Sequence, residues 1–316
     1  MTTQPIIRLF RVLKPVVPLV VTCFIGQAIY ENWQHVREAT WEFEWAYLLL
    51  SFLAMSGLYV LRPLAWRLIL QHFGHNVSAV AAYRIVRQAE LSRYVPGAIW
   101  QYVSRVDLAS RWGVSATATM AAALVETVIL ILSAVIPALL NFEEVLPNLA
   151  RFQIVLLVLF PLGAVAVLQP HLLNFCMEFL SRKLNQPYSK LQIKWSMVAG
   201  IWLAYVLMWT AGCLGVGFFV RGVIEISFEQ VFATGSFFAA AWIVAIISIV
   251  SPAGVGIRDG IFGLLLSQIL PLGAALTIAV GVRMWMTLME LFWTALGVWF
   301  VDVPYHLTTD KNTSHL

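Results

Sequence analysis

The sequence predicts an all-α polytopic membrane protein, with about six spans plus two broken re-entrant helical hairpins arranged as an inverted repeat. Three observations carry this. Of the 316 residues, 60% are hydrophobic and 11% charged, whereas soluble domains hold about 45–50% apolar and roughly 25% charged residues. Six apolar runs have about the length that a ~30 Å hydrocarbon core requires of a helix. The connections between them alternate in sign of charge, as the positive-inside rule demands. This composition excludes a soluble globular enzyme and excludes disorder, which needs the opposite balance. The net charge of +4 comes with no dense Lys/Arg run, so no nucleic-acid partner is expected. Cys23, Cys176 and Cys213 lie far apart in apolar stretches and define neither a disulfide framework nor a metal site.

The elements follow in chain order. Pro15–Tyr30 is preceded by Arg8, Arg11 and Lys14, and no A-x-A cleavage site follows, so it is expected as a retained first span. Further spans are expected at Trp45–Leu70, Ser115–Leu140, Phe152–Gln169, Trp195–Val220 and Ala274–Phe300. The connection Glu31–Glu44 is acidic, Arg62–Arg111 is rich in Arg, Asn141–Arg151 carries Glu143 and Glu144, and Pro170–Lys194 is basic. Placing the positive connections in the cytoplasm puts the N-terminus there. Trp33, Trp41 and Trp45 suit the outer aromatic belt, and Trp112 and Trp195 the inner one. His171–Lys194 is amphipathic and basic, as a helix lying on the inner leaflet would be. The expected units are a first transmembrane repeat over 1–150, a second, inverted repeat over 151–301, and a polar tail over 302–316.

Two apolar stretches do not read as simple spans. Val77–Trp112 is broken by Arg84, Arg87, Glu90, Arg93, Arg105 and Asp107. Phe228–Leu270 is cut by Ser251-Pro252-Ala253-Gly254-Val255-Gly256. Each follows a full span, breaks at a Pro/Gly turn (Pro96-Gly97 in the first) and resumes as helix. Each then leads to a span with a charge near its middle, Glu126 in one and Arg283 in the other. By the charge rule the first break starts from the cytoplasm and the second from outside, hence the inverted repeat with a site between its halves. Broken backbone at membrane depth is tolerated only inside protein or against a water-filled cavity. The competing possibility is a long surface loop for the first stretch and two ordinary spans joined by a Pro-Gly turn for the second; Phe228–Val250 is long enough to cross outright.

The candidate site residues come from the breaks and the midspan charges. Half-helices starting at Gly97 and near Val255 would present free N–H groups and a positive dipole end, which favour anions. Pro96, Pro252, Gly254 and Gly256 shape those turns. Arg93, Arg105 and Arg258 sit within a few turns of the breaks and carry the fork that matches phosphate; Arg93 and Arg105 would equally serve as cytoplasmic interface anchors. Tyr94, Trp100, Gln101 and Asp259 complete the set of head-group contacts near the breaks. Glu126 and Arg283 lie deep enough in their spans to mark function by default. Their opposite signs also allow a structural ion pair, with Glu290, two turns past Arg283, as a second partner. Gly256 and Gly260 form a G-x-x-x-G, expected to serve close helix packing. There is no P-loop, no H-E-x-x-H and no G-x-S-x-G, so neither cofactor, metal nor catalytic residue is assigned.

Tyr94-Val95-Pro96-Gly97-x-x-Trp100-Gln101, Gly113-Val114-Ser115, Glu126 and Pro252-Ala253-Gly254-Val255-Gly256-Ile257-Arg258-Asp259-Gly260 resemble the flippase-like transmembrane domain of lysylphosphatidylglycerol synthases. The family more often has Glu at the Asp259 position. The resemblance implies a multi-pass inner-membrane protein that moves a phospholipid or a polyprenyl-phosphate-linked sugar between leaflets, a transporter and not an enzyme. It also implies partner enzymes of cell-envelope synthesis. The chain ends 16 residues after the last span, and a stand-alone member without the soluble synthase domain is expected. Two alternatives stay open: a polytopic enzyme or accessory subunit of lipid-linked glycan synthesis, and an ion-coupled transporter of a small solute.

Overall fold

The computed structural model describes residues 42–94, 100–141, 195–248 and 257–299, with isolated residues between 155 and 182. Among the described residues every regular element is helical. They are α1 (Trp45–His72), α2 (Ala79–Leu91) with a 3₁₀ turn Ser92–Tyr94, α3 (Trp100–Ser110), α4 (Ala116–Leu140), α5 (Trp195–Arg221), α6 (Phe228–Ser248), α7 (Ile257–Leu266) and α8 (Leu272–Trp299). Five of these, α1, α4, α5, α6 and α8, are long and apolar enough to cross a membrane. The expected spans at 15–30 and 152–169, the interfacial helix at 171–194 and the tail lie outside the described residues, apart from isolated positions.

Local chemistry sets the helix ends. Ser78 and Ser115 are N-caps whose hydroxyls accept from the N–H of Ala81 and Ala118, satisfying one of the orphan donors each helix start carries. Gly74 and Gly113 have φ of +80° and +73°. At both, a six-to-one bond (His75 N–H to Leu70 O, Val114 N–H to Ala109 O) encloses a five-to-two bond. This is the left-handed glycine cap that closes α1 and α3. The run Gly113-Val114-Ser115 is therefore a stop followed by a start.

Side-chain and backbone contacts give the helix directions. The start of α1 meets the end of α5, with Glu44 N–H on Gly222 O at 3.0 Å. The end of α1 meets the start of α4, where His75 Nε2 and Ser115 Oγ are 3.4 Å apart. Trp285 and Trp293 of α8 donate to Ser51 and Ser56 of α1 at 3.1 and 3.2 Å, so α1 and α8 run the same way. It follows that the α2–α3 pair begins and ends at one end of the bundle, beside His72 and Ser115. The α6–α7 pair begins and ends at the opposite end, between Arg221 and Leu272. The arms differ in length. α2 and α3 have 13 and 11 residues, each about half a bilayer at 1.5 Å per residue. α6 has 21 and α7 has 10, so α6 reaches about 31 Å. The second broken stretch thus pairs a full-length arm with a half-length one.

Two apolar cores meet along α1 and α5. One joins Met55, Trp209, Phe237, Phe262 and Met289; the other joins Trp66, Ile69, Ile85, Ile129 and Tyr205. Leu49, Leu53, Leu203, Leu207, Leu264 and Leu288 stay exposed, as suits a surface facing lipid. Between α5 and α6 the backbones nearly touch: a Cβ on Gly235 would sit 2.8 Å from Cys213 O, and one on Gly217 would collide with Val231 O. Small residues permit that approach. On α7 the tightly packed glycine is Gly263, against Leu276, whereas a Cβ on Gly260 would meet nothing within 4 Å. The packing role expected of Gly260 is thus corrected to Gly263, and Gly256 lies outside the described residues.

Candidate functional site: a string of buried charges

Four helices bring one set of charges together at mid-depth. Glu126 lies ten positions into α4, and Arg62 ten positions before the end of α1, each about 15 Å from its helix end. Arg62 Nε donates to Glu126 Oε1 at 2.7 Å, and its Nη1 lies 2.5 Å from Glu90 Oε1 on α2. Arg105 of α3 pairs with Glu126 Oε2, and Arg87 of α2 with Glu90 Oε2. Tyr205 of α5 donates to Glu126 Oε1 at 3.1 Å. The guanidiniums of Arg87 and Arg105 also lie over the rings of Tyr59 and Trp66, at 5.3 and 5.4 Å, where the ring quadrupole favours a cation. Arg87, Glu90, Arg105 and Glu126 are all buried.

A second set joins α7, α8 and the turn after α2. Glu290, 1% exposed, accepts through Oε2 from Arg93 and from the Tyr94 hydroxyl, the latter at 2.7 Å. These two donors form the 3₁₀ turn at the end of α2, so the hairpin's break is tied to α8. Two turns earlier, Arg283 donates to Asp259 Oδ2 at 3.1 Å, and Arg258 forks onto Asp259 Oδ1 at 3.1 and 3.0 Å. Across both sets the described residues place six guanidiniums against four carboxylates. The string is therefore cationic by a surplus of two. Buried charge in a membrane is expensive unless paired and hydrogen-bonded, and here every member has a partner of opposite sign.

The expected residues fall as follows. Arg93, Tyr94, Arg105, Glu126, Arg258, Asp259, Arg283 and Glu290 all belong to the string. Trp100 and Gln101 open α3 and are half-buried. Pro96, Gly97, Pro252, Gly254 and Gly256 lie outside the described residues. The pairing of Glu126 with Arg283 that their signs allowed does not form: the ion pairs of Glu126 run to Arg62 and Arg105, and those of Arg283 and Glu290 to Asp259 and Arg93. Opposite signs at similar depth said nothing about which helices would be neighbours. Arg105 is not an interface anchor either, because it is 4% exposed and bonded to a midspan carboxylate. Sequence reasoning passed over Arg62, Arg87, Glu90, Tyr59 and Tyr205. Arg62 carried a usable signal, since it sits inside the apolar run 45–70 by the same rule that singled out Glu126. Tyr59 and Tyr205 carried none, because a tyrosine in a span usually needs no explanation.

A helical bundle that crosses the membrane several times and buries clustered charges with a cationic surplus is a multi-pass membrane protein built around a polar interior. The chain belongs to the lysylphosphatidylglycerol synthase TM region family, whose model matches residues 12–293. No curated protein and no solved structure matches it.

Proposed function

We propose that this protein is a flippase-like lipid translocase of the inner membrane, with its N-terminus cytoplasmic, working in cell-envelope assembly. Its cargo is a phospholipid or a polyprenyl-phosphate-linked sugar, moved without chemical change. The observation that carries this is the surplus of guanidinium in the buried string, placed where two helical pairs enter from opposite ends. A lipid head group bearing phosphate needs cationic partners to leave water, and its acyl chains remain in the bilayer beside the exposed leucines. The two pairs are the broken hairpins of inverted halves, and alternating exposure of the charges between them moves the head group across. Family membership supports a lipid-related role of this kind.

The test uses purified protein in vesicles with labelled lipid in one leaflet. The expected result is transfer of label with an unaltered head group, and its loss in Arg283→Gln. That variant leaves Asp259 paired with Arg258, so folding should be retained. A chemically modified head group would assign the protein to lipid-linked synthesis instead, and transfer equal in wild type and Arg283→Gln would remove Arg283 from the site.

A further inference from the structure

The first charge set and the Glu290 set each leave buried polar atoms unsatisfied where α2 and α8 meet α1. Arg87, 2% exposed, uses one terminal nitrogen on Glu90, while its Nε and Nη1 have no hydrogen-bond partner. Glu290 uses one oxygen on Arg93 and Tyr94, while its Oε1 has none. The Thr294 hydroxyl, one turn further along α8 and 4% exposed, is also without a partner. Tyr59 of α1 touches both helices: Arg87 lies over its ring at 5.3 Å, and its hydroxyl donates at 3.0 Å to Met286 O of α8, one turn before Glu290. Two orphan guanidinium nitrogens, one orphan carboxylate oxygen and one orphan hydroxyl, which can donate or accept, thus share the interface of α1, α2 and α8.

Buried polar atoms are nearly always satisfied, and leaving a charged group short of a partner costs more than leaving a neutral one. A phosphate would satisfy Arg87 but would face the Glu290 carboxylate. A cation would satisfy Glu290 but would face Arg87. A hydroxyl-type ligand, which donates and accepts at once, fits both. We propose that bound water occupies the α1–α2–α8 interface and bridges Arg87 to Glu290 and Thr294. Such waters typically make about three hydrogen bonds each to groups of this kind. The bridge joins the Arg62–Glu126 group, through Glu90 and Arg87, to the Arg93–Glu290 pair on α8. It stands independently of which lipid is carried, or whether one is.

Hydroxyl-radical footprinting of the protein in nanodiscs tests this, because radicals generated from internal water label adjacent side chains. The expected result is labelling of Tyr59, 6% exposed, several-fold above that of Phe237 and Met208, which are 0% and 2% exposed within the apolar cores. In Arg87→Leu with Thr294→Val, that labelling should fall to the level of the controls. Thr294→Val alone, which removes a single orphan hydroxyl, serves if the double variant does not fold, and should lower the labelling. Tyr59 labelled no faster than Phe237 and Met208 in the wild type would mean a dry interface and would overturn the proposal. Labelling unchanged in the folded variants would place the water elsewhere and overturn it equally.

Discussion

At the scale of single residues, Glu126 is the hub of the first charge group, because among the described residues it alone forms an ion pair with Arg105, and it shares Arg62 with Glu90. Removing one member of a buried ion pair typically costs about 3–5 kcal/mol. Glu126→Gln should therefore unfold in detergent at markedly lower temperature than the wild type. Adding Arg105→Gln should recover much of that loss, since Arg62 keeps Glu90 as counter-charge. Adding Arg283→Gln should recover none, since Arg283 bonds to Asp259. Thermal unfolding of the single and the two double variants decides between the partners, and recovery by Arg283→Gln would refute the pairing seen here.

At the scale of elements, close packing is concentrated where glycine lets backbones meet. Gly235→Ala places a methyl against the Cys213 carbonyl, a backbone atom that cannot swing aside. Overpacking of this kind costs about 1–3 kcal/mol, and the folded yield of the variant should drop. Gly260→Ala is the contrast: its methyl meets open space, and the helix gains up to about 1 kcal/mol from the better residue. Unfolding temperatures that moved the same way in both variants would contradict this packing. Another joint is the clamp of α2 on the end of α8. Arg84 donates to Gly297 O and Val298 O at 3.0 and 2.8 Å, and Tyr83 to Trp293 O at 2.7 Å. These carbonyls lie in the last turn or two of α8, where a cation also favours the helix dipole. Arg84→Ala should cost about 1–3 kcal/mol and raise hydrogen exchange at the C-terminal end of α8 before that of α5.

At the scale of the molecule, the ends of α1 and α8 lie at one end of the bundle and the Glu44–Gly222 contact at the other. Asn76 and Glu225 are exposed at these opposite ends. In intact cells, Glu225→Cys should react with an impermeant thiol reagent, and Asn76→Cys only after the membrane is opened. Reaction of both from outside would break the orientation inferred from loop charge.

Composition and apolar run length were enough to determine the class, the helical nature and the positions of α1, α4, α5 and α8. The reason is that a bilayer admits few backbone solutions and taxes every midspan charge. The same tax made Glu126 and Arg283 stand out. What the linear pattern could not carry was which charge meets which. Arg62, Arg87 and Glu90 looked like the flank of a basic connection until α1, α2 and α4 packed side by side, and Asp259 claimed Arg283 only because α7 lies against α8. Ion pairing depends on distances of a few ångströms between helices remote in sequence, and those are set by tertiary packing, by Gly217 and Gly235 in one place and Tyr83 against Gly297 in another.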